Sequence, residues 1–272
     1  MKTSSIATII LLFFSIFSTA QSNTSKPLSI GEIIDIRSDI LNENRTLNIY
    51  LPEGYNASEK YAVMYLLDGS ANEDFLHIVG LVQFFNMTFK MPKTIVVGIA
   101  NIDRKRDFTF PTTVGDLKKS YPTTGGSAKF IDFIERELKP FMISNYKTND
   151  TSYLIGQSLG ALLATEVLLK KPDLFTNYII VSPSLWWDDE SLLKAAPALL
   201  AVQSDQKKQV YISVGSEGKI MEEDAAGIVK ALKNSGKKNL KVDFVPLPKE
   251  NHATILHQSV YEALNILFPY KE

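Results

Sequence analysis

Apolar positions along this chain fall into two kinds of short run. Ile30 to Ile40 alternates loosely and Arg45–Leu51 alternates polar and apolar cleanly, the pattern of strands with one solvated face. Later runs are continuous: Tyr61–Leu67, Thr94–Ile99, Tyr153-Leu154-Ile155, Asn177–Val181 and Gln209–Val214. Runs of this length, rich in β-branched residues, predict strands buried on both faces, and Leu240–Val245 predicts a last strand. Helical spacing separates them, over Glu73–Asn86, from Ser127 to about Phe141, over Ala161–Lys170, beyond Trp187 with an interruption at Pro197, over Met221–Asn234 and over Ile255–Leu267. Residues Asn101–Thr124 have no period and read as a long loop. Strands alternating with helices after two initial strands predict the α/β class. The expected architecture is a mostly parallel, doubly wound sheet with antiparallel first strands, in a three-layer sandwich.

Composition changes this picture only at the amino terminus. The 272 residues carry a net charge of −1 and are 45% hydrophobic, which suits one substantial core and gives no reason to expect nucleic acid as a partner. Lys2, a polar Thr3-Ser4-Ser5, the apolar Ile6–Phe17 and the small Ser18-Thr19-Ala20 have the layout of a signal peptide. The expectation is cleavage after Ala20, a single domain over 21–272, and a secreted or periplasmic protein without stable membrane insertion; an uncleaved anchor is the alternative. The chain has no cysteine, so the core alone must hold it. It has no H-E-x-x-H, no G-x-G-x-x-G and no P-loop, so neither a metal nor a cofactor is expected.

Candidate chemistry centres on Gly156-Gln157-Ser158-Leu159-Gly160. Between a buried strand and a helix, G-x-S-x-G forms a nucleophile elbow: glycines two residues either side let the turn tighten, and the serine hydroxyl rises above the sheet at the positive end of a helix. A serine needs a base to take its proton. Of three histidines, His77 and His257 fall inside helices, whereas His252 lies on a loop between the last strand and the last helix. The order Ser, acid, His then asks for a carboxylate after the strand ending at Val214. Glu217 is the first, with Glu222, Glu223 and Asp224 as alternatives that suit the acidic first turn of a helix. Oxyanion donors are expected from the amides of Leu159 and the Gly69-Ser70 turn. Trp186 and Trp187 line a substrate pocket or pack in the core. Arg106, in Arg104-Lys105-Arg106, draws an anionic substrate or is a solvated basic loop.

With these residues assembled, the chain resembles the putative-esterase family of α/β-hydrolases. That family includes siderophore esterases, S-formylglutathione hydrolases (esterase D), feruloyl and acetyl-xylan esterases, and mycolyltransferases. The likeness runs from about Arg45 to Phe268 and is carried by Arg45–Pro52, Tyr65-Leu66-Leu67-Asp68-Gly69, the serine motif, Ser182-Pro183-Ser184-Leu185-Trp186-Trp187 and Asn251-His252. It is closest to the siderophore-esterase branch. The resemblance implies Ser158 as nucleophile, His252 as base, and the Leu159 and Ser70 amides as oxyanion donors. The acid departs from the pattern: relatives often carry an Asp where Gly218 stands here, and some siderophore esterases work with a Ser-His pair. The implied function is carboxylic ester hydrolysis through an acyl-enzyme on a small-molecule or carbohydrate ester. A siderophore lactone comes first as substrate. The alternatives are a feruloyl or acetyl-xylan ester, acyl transfer to a sugar, or a non-catalytic ligand-binding protein of the same fold.

Overall fold

A computed structural model describes residues 25–88 and 91–269; the leader-like stretch 1–20 lies outside the described residues. The strands are β1 (Glu32–Ser38), β2 (Glu43–Tyr50), β3 (Tyr61–Leu66), β4 (Thr94–Ile99), β5 (Thr148–Gln157), β6 (Asn177–Val181), β7 (Lys208–Gly215) and β8 (Leu240–Leu247). They form one sheet in the order β1-β2-β4-β3-β5-β6-β7-β8. β2 is antiparallel to both β1 and β4, and every other pairing is parallel. This is the α/β-hydrolase fold. The chain leaves β3 towards β4 on one side and then returns to lay β5 on the other. The connections after β3 and β5 therefore diverge and open a crevice at the carboxyl ends of the strands, where open α/β sheets hold their ligands.

Period-two alternation divides the buried residues between two faces. Val63 and Tyr65 face a cluster built on α4 (Ser127–Phe133), α6 (Leu159–Lys170) and α7 (Trp187–Ala201), whereas Met64 and Leu66 face α1 (Phe75–Met87) and α9 (Ile255–Leu267). Helix α6 is buried from Leu159 to Leu169 on all sides, as a helix without a polar face must be. The serine that precedes it is thereby anchored to a helix buried in the core.

Three elements differ from the sequence reading. Asn101–Thr124 contains two short helices, α2 (Arg104–Phe108) and α3 (Gly115–Ser120), too brief to generate a recognisable period. Asp103 caps α2, its side chain accepting from the Arg106 amide. The helix from Ser127 continues beyond Phe141, through a π-helical turn at Ile134–Leu138 into α5 (Lys139–Asn145). Pro197 does not interrupt α7. The break falls instead at Asp188, Asp189 and Glu190, whose φ angles are 51°, 53° and 57°. There the Asp188 carboxylate accepts from the Thr112 hydroxyl and the Thr113 amide, both at 2.8 Å. Desolvation pushes that carboxyl up, but these bonds outweigh it and hold its pKa below the usual value. The helix start is thus pinned to the long 101–124 segment. The α8 helix (Lys219–Lys233) completes the set. No helix among the described residues is long and apolar enough to cross a membrane.

Candidate active site

Ser158 sits between β5 and α6 at φ 58°, ψ −119°, a conformation that L-residues reach only under constraint. The two flanking glycines are needed to different degrees. A Cβ on Gly156 would lie 2.5 Å from the backbone carbonyl of Gly160, whereas one on Gly160 would first meet side chains, those of Asp68, Leu67 and Phe108 at 3.3, 3.4 and 3.6 Å. The elbow is fixed by the neighbouring strand: the Ser158 amide donates to Val181 O at 3.0 Å, and Ser158 O accepts from the Leu162 and Ser184 amides. Leu159 opens α6, so its amide is one of the first-turn donors without an intrahelical acceptor.

The acid and base follow β7 and β8, the two strands beyond β6. Glu217, just beyond β7, places Oε2 2.5 Å from His252 Nδ1. Its Oε1 accepts from the Gly215 amide at 2.9 Å and the Ser182 hydroxyl at 2.5 Å. The Glu217 side chain is 2% exposed and the His252 side chain 47%. Gly215 permits this approach, since a Cβ there would lie 2.6 Å from Glu250 O. The Ser216 amide instead bonds that carbonyl at 2.8 Å. Gln157 Nε2 donates to His252 O at 2.5 Å, tying the histidine loop back to the elbow.

The competing carboxylates have other occupations. Glu222 accepts from the amides of Glu217 and Gly218, both at 3.1 Å, and so caps α8. Glu223 faces Lys219. Asp224 is buried, and desolvation, with the charges of Glu190 and Glu223, raises its pKa to about 6. Of the four acids, Glu217 is the one that reaches His252.

Ser158, Glu217 and His252 line one recess of about 560 Å³, together with Ser184, Trp186, Met221 and Asn251. A second recess of about 390 Å³ shares Ser158 and His252 and is bounded by Asp68, Glu73, Asp74, Arg104 and Gln157. The Ser158 hydroxyl lies 3.3 Å from Ser184 Oγ, and no hydrogen bond joins it to the His252 ring among the described residues. The β3 turn that carries Ser70 is held against β4, where Gly69 N–H donates to Ile99 O at 3.0 Å. A Cβ on Gly69 would lie 2.3 Å from Gly98 Cα.

The basic run and the tryptophan pair need correction. Arg106 is committed to structure: its guanidinium bonds Asp107 at 2.7 Å and Glu43 at 2.6 and 3.0 Å. Arg104 is the member of the run that lines the recess. It grips Asp68 with two bonds of 2.6 and 2.9 Å and reaches Gln157 O at 3.3 Å. Burial alone would lower its pKa, but the Asp68 carboxylate holds it raised. Trp187 is fully buried and donates to Phe110 O at 2.9 Å, so it supports the wall from behind, whereas Trp186 lines the recess. His77 in α1 and His257 in α9 set their rings 5.8 Å apart at a 44° tilt, and neither lines the two recesses at Ser158.

Sequence reasoning singled out neither Arg104 by itself nor the hydroxyls of Ser182 and Ser184. For the two serines the signal was positional, a polar turn ending the strand between the serine strand and the acid strand.

The profile of the family described as "Putative esterase" matches residues 38–254. The chain is 30% identical to the ferri-bacillibactin esterase BesA of Bacillus subtilis (strain 168), over 82% of this chain and 85% of that protein. Among solved structures it resembles an IroE-like serine hydrolase from Shewanella oneidensis, with a TM-score of 0.80 and 31% identity over 88% of this chain and 80% of that one. It also resembles the BES protein from Bacillus cereus, with a TM-score of 0.79 and 27% identity over 93% and 100% of the two chains.

Proposed function

We propose a mechanism and a substrate class for this chain, which belongs to the putative-esterase family and is a carboxylic ester hydrolase. Ser158 Oγ attacks the ester carbonyl while His252 Nε2 takes its proton. Glu217 holds the imidazole by Nδ1 and stabilises it once protonated. The amides of Leu159 and Ser70 receive the oxyanion. Collapse of the tetrahedral intermediate expels the alcohol with the proton from His252, and water attacks the acyl-enzyme by the same route. The observation that carries this reading is the 2.5 Å contact between Glu217 Oε2 and His252 Nδ1 on the recess shared with Ser158.

The substrate we propose is a siderophore ester. Its support is the likeness to BesA and two shallow recesses that meet at Ser158, room for a substrate broader than a simple alkyl ester. The basic run lends no support, because Arg104 is neutralised by Asp68 and Arg106 by Glu43 and Asp107. Trp186 offers a ring on which a sugar or feruloyl group could stack, which keeps a carbohydrate ester as the second reading. Turnover of an enterobactin-type trilactone, with and without iron, is compared with a feruloyl ester and acetylated xylan, alongside fluorophosphonate labelling. Ser158→Ala is expected to abolish turnover and labelling; full turnover in that variant ends the mechanism, and tight siderophore binding without acylation marks a binding protein. Export belongs to the same proposal: the mature protein is expected to begin at Gln21, and an unprocessed chain retained in the cytoplasm refutes it.

A further inference from the structure

The turn that ends β6, Ser182-Pro183-Ser184, touches both sides of the site. β6 lies between β5, which leads to Ser158, and β7, which leads to Glu217. Ser182 adopts φ 48°, a conformation in which glycine would be the less strained choice. What a serine adds there is its hydroxyl, which donates to Glu217 Oε1. Two residues on, Ser184 is 2% exposed, its amide donates to Ser158 O at 3.2 Å, and its Oγ lies 3.3 Å from Ser158 Oγ.

Hydrogen-bond satisfaction fixes the direction of that last contact during reaction. A buried hydroxyl left without a partner is costly, and the Ser184 hydroxyl has Ser158 Oγ as its partner. When Ser158 turns its proton towards His252 it can no longer donate to Ser184, so Ser184 must donate to Ser158. We infer that Ser184 is a further catalytic residue, whose hydroxyl donates to Ser158 Oγ as negative charge develops there. The inference rests on Ser158 being the nucleophile. In the step itself the Ser158 O–H bond breaks, its proton passes to His252 Nε2, and Oγ bonds the carbonyl carbon as the carbonyl π pair moves to oxygen. Ser184 keeps its own proton throughout. In the resting enzyme the same pair holds the nucleophile 3.3 Å from a polar partner within the wall, which keeps its rotamer defined without a bond to His252.

The test is Ser184→Ala, with Ser184→Thr as the variant that restores a hydroxyl, on p-nitrophenyl acetate and with a fluorophosphonate probe. An interaction strengthened only in the transition state lowers kcat with KM unchanged. Ser184→Ala is expected to lose about tenfold in kcat and to slow labelling equally, with an unchanged melting temperature, and Ser184→Thr is expected to regain most of both. If Ser184→Ala keeps kcat and the labelling rate within about twofold of the parent, the inference is overturned whatever Ser184→Thr does. If Ser158→Ala itself retains turnover, the mechanism beneath it has failed instead, so the two failures are told apart.

Discussion

Glu217→Gln is the perturbation that bears most directly on how the base is held. The substitution preserves shape in a side chain that is 2% exposed, but one terminal oxygen becomes an NH₂ donor. At the Oε1 position two donors already converge, the Gly215 amide at 2.9 Å and the Ser182 hydroxyl at 2.5 Å, and an NH₂ there would oppose both. The glutamine must therefore keep its oxygen at that position and turn its NH₂ towards His252 Nδ1. Nδ1 then has to accept, the ring proton moves to Nε2, and the nitrogen facing Ser158 can no longer take a proton. Holding the wrong tautomer in this way costs a factor of about 10³–10⁴ in kcat, or about 4–5.5 kcal/mol. Glu217→Ala leaves the ring free to choose either tautomer but removes the charge that stabilises the imidazolium, and is expected to cost about as much, on the order of 10⁴. Steady-state hydrolysis of p-nitrophenyl acetate, with thermal melts as a folding control, reads both variants. Glu217→Gln retaining activity within about threefold of the parent while folding normally would refute the argument and leave a Ser-His pair.

Gly156→Ala forces a methyl to within 2.5 Å of the Gly160 backbone; it is expected to cost about 1–3 kcal/mol in stability and, by displacing Ser158, about 10² in kcat/KM. Gly160→Ala, whose nearest contact is 3.3 Å from a side chain, should be clearly milder in both assays. The tryptophans should separate. Trp187→Ala costs about 3–5 kcal/mol by chemical denaturation, whereas Trp186→Ala, in a half-buried residue packed on one side, costs clearly less and raises KM for aryl esters by up to about tenfold. Asp224 has a pKa raised to about 6 in the folded protein, above the ordinary 3.8. Its protonated form therefore contributes stability below about pH 4 that is lost as pH rises through about 6. Asp224→Asn should match the parent at pH 4 and exceed it at pH 8 by up to about 3 kcal/mol; equal stability at pH 8 would count against the burial argument.

Elements whose patterns are set by the core were readable from the sequence. β4, β6 and α9 fall where the apolar runs predicted them, because strands buried on both faces and an amphipathic closing helix leave unambiguous periods. The mostly parallel, doubly wound class followed from the alternation of strands and helices, whereas the exchange of β3 and β4 in the sheet order left no mark in it. What escaped was set by single polar contacts. The break at Asp188–Glu190 depends on Thr112 and Thr113, more than 70 residues away in the chain, while Pro197, the obvious local signal, was absorbed by the helix. Arg104 and Arg106 are indistinguishable as letters; their separation comes from which carboxylate each one meets. The positions of Ser158, His252 and Glu217 were legible because motif, chain order and strand ends constrain them. The 2.5 Å contact between the last two, and the role of Glu222 as a cap, arise only in the fold, where the ends of β7 and β8 meet.

Three spatially consecutive strands, β3, β5 and β6, are each followed by a polar, non-glycine residue with positive φ: Asp68 at 54°, Ser158 at 58° and Ser182 at 48°. Each such residue costs of order 1–3 kcal/mol, so conformational energy is stored along the rim of the crevice, as it is at the Asp188–Glu190 start of α7. A population of variants selected only for heat resistance would drift towards glycine at these places and would lose, in turn, the Arg104 clamp, the nucleophile and the donor to Glu217. Thermal hardening of this protein belongs elsewhere, with Asp224 the first position to try, and an unusually heat-resistant isolate with glycine at 68 or 182 should prove a poor catalyst.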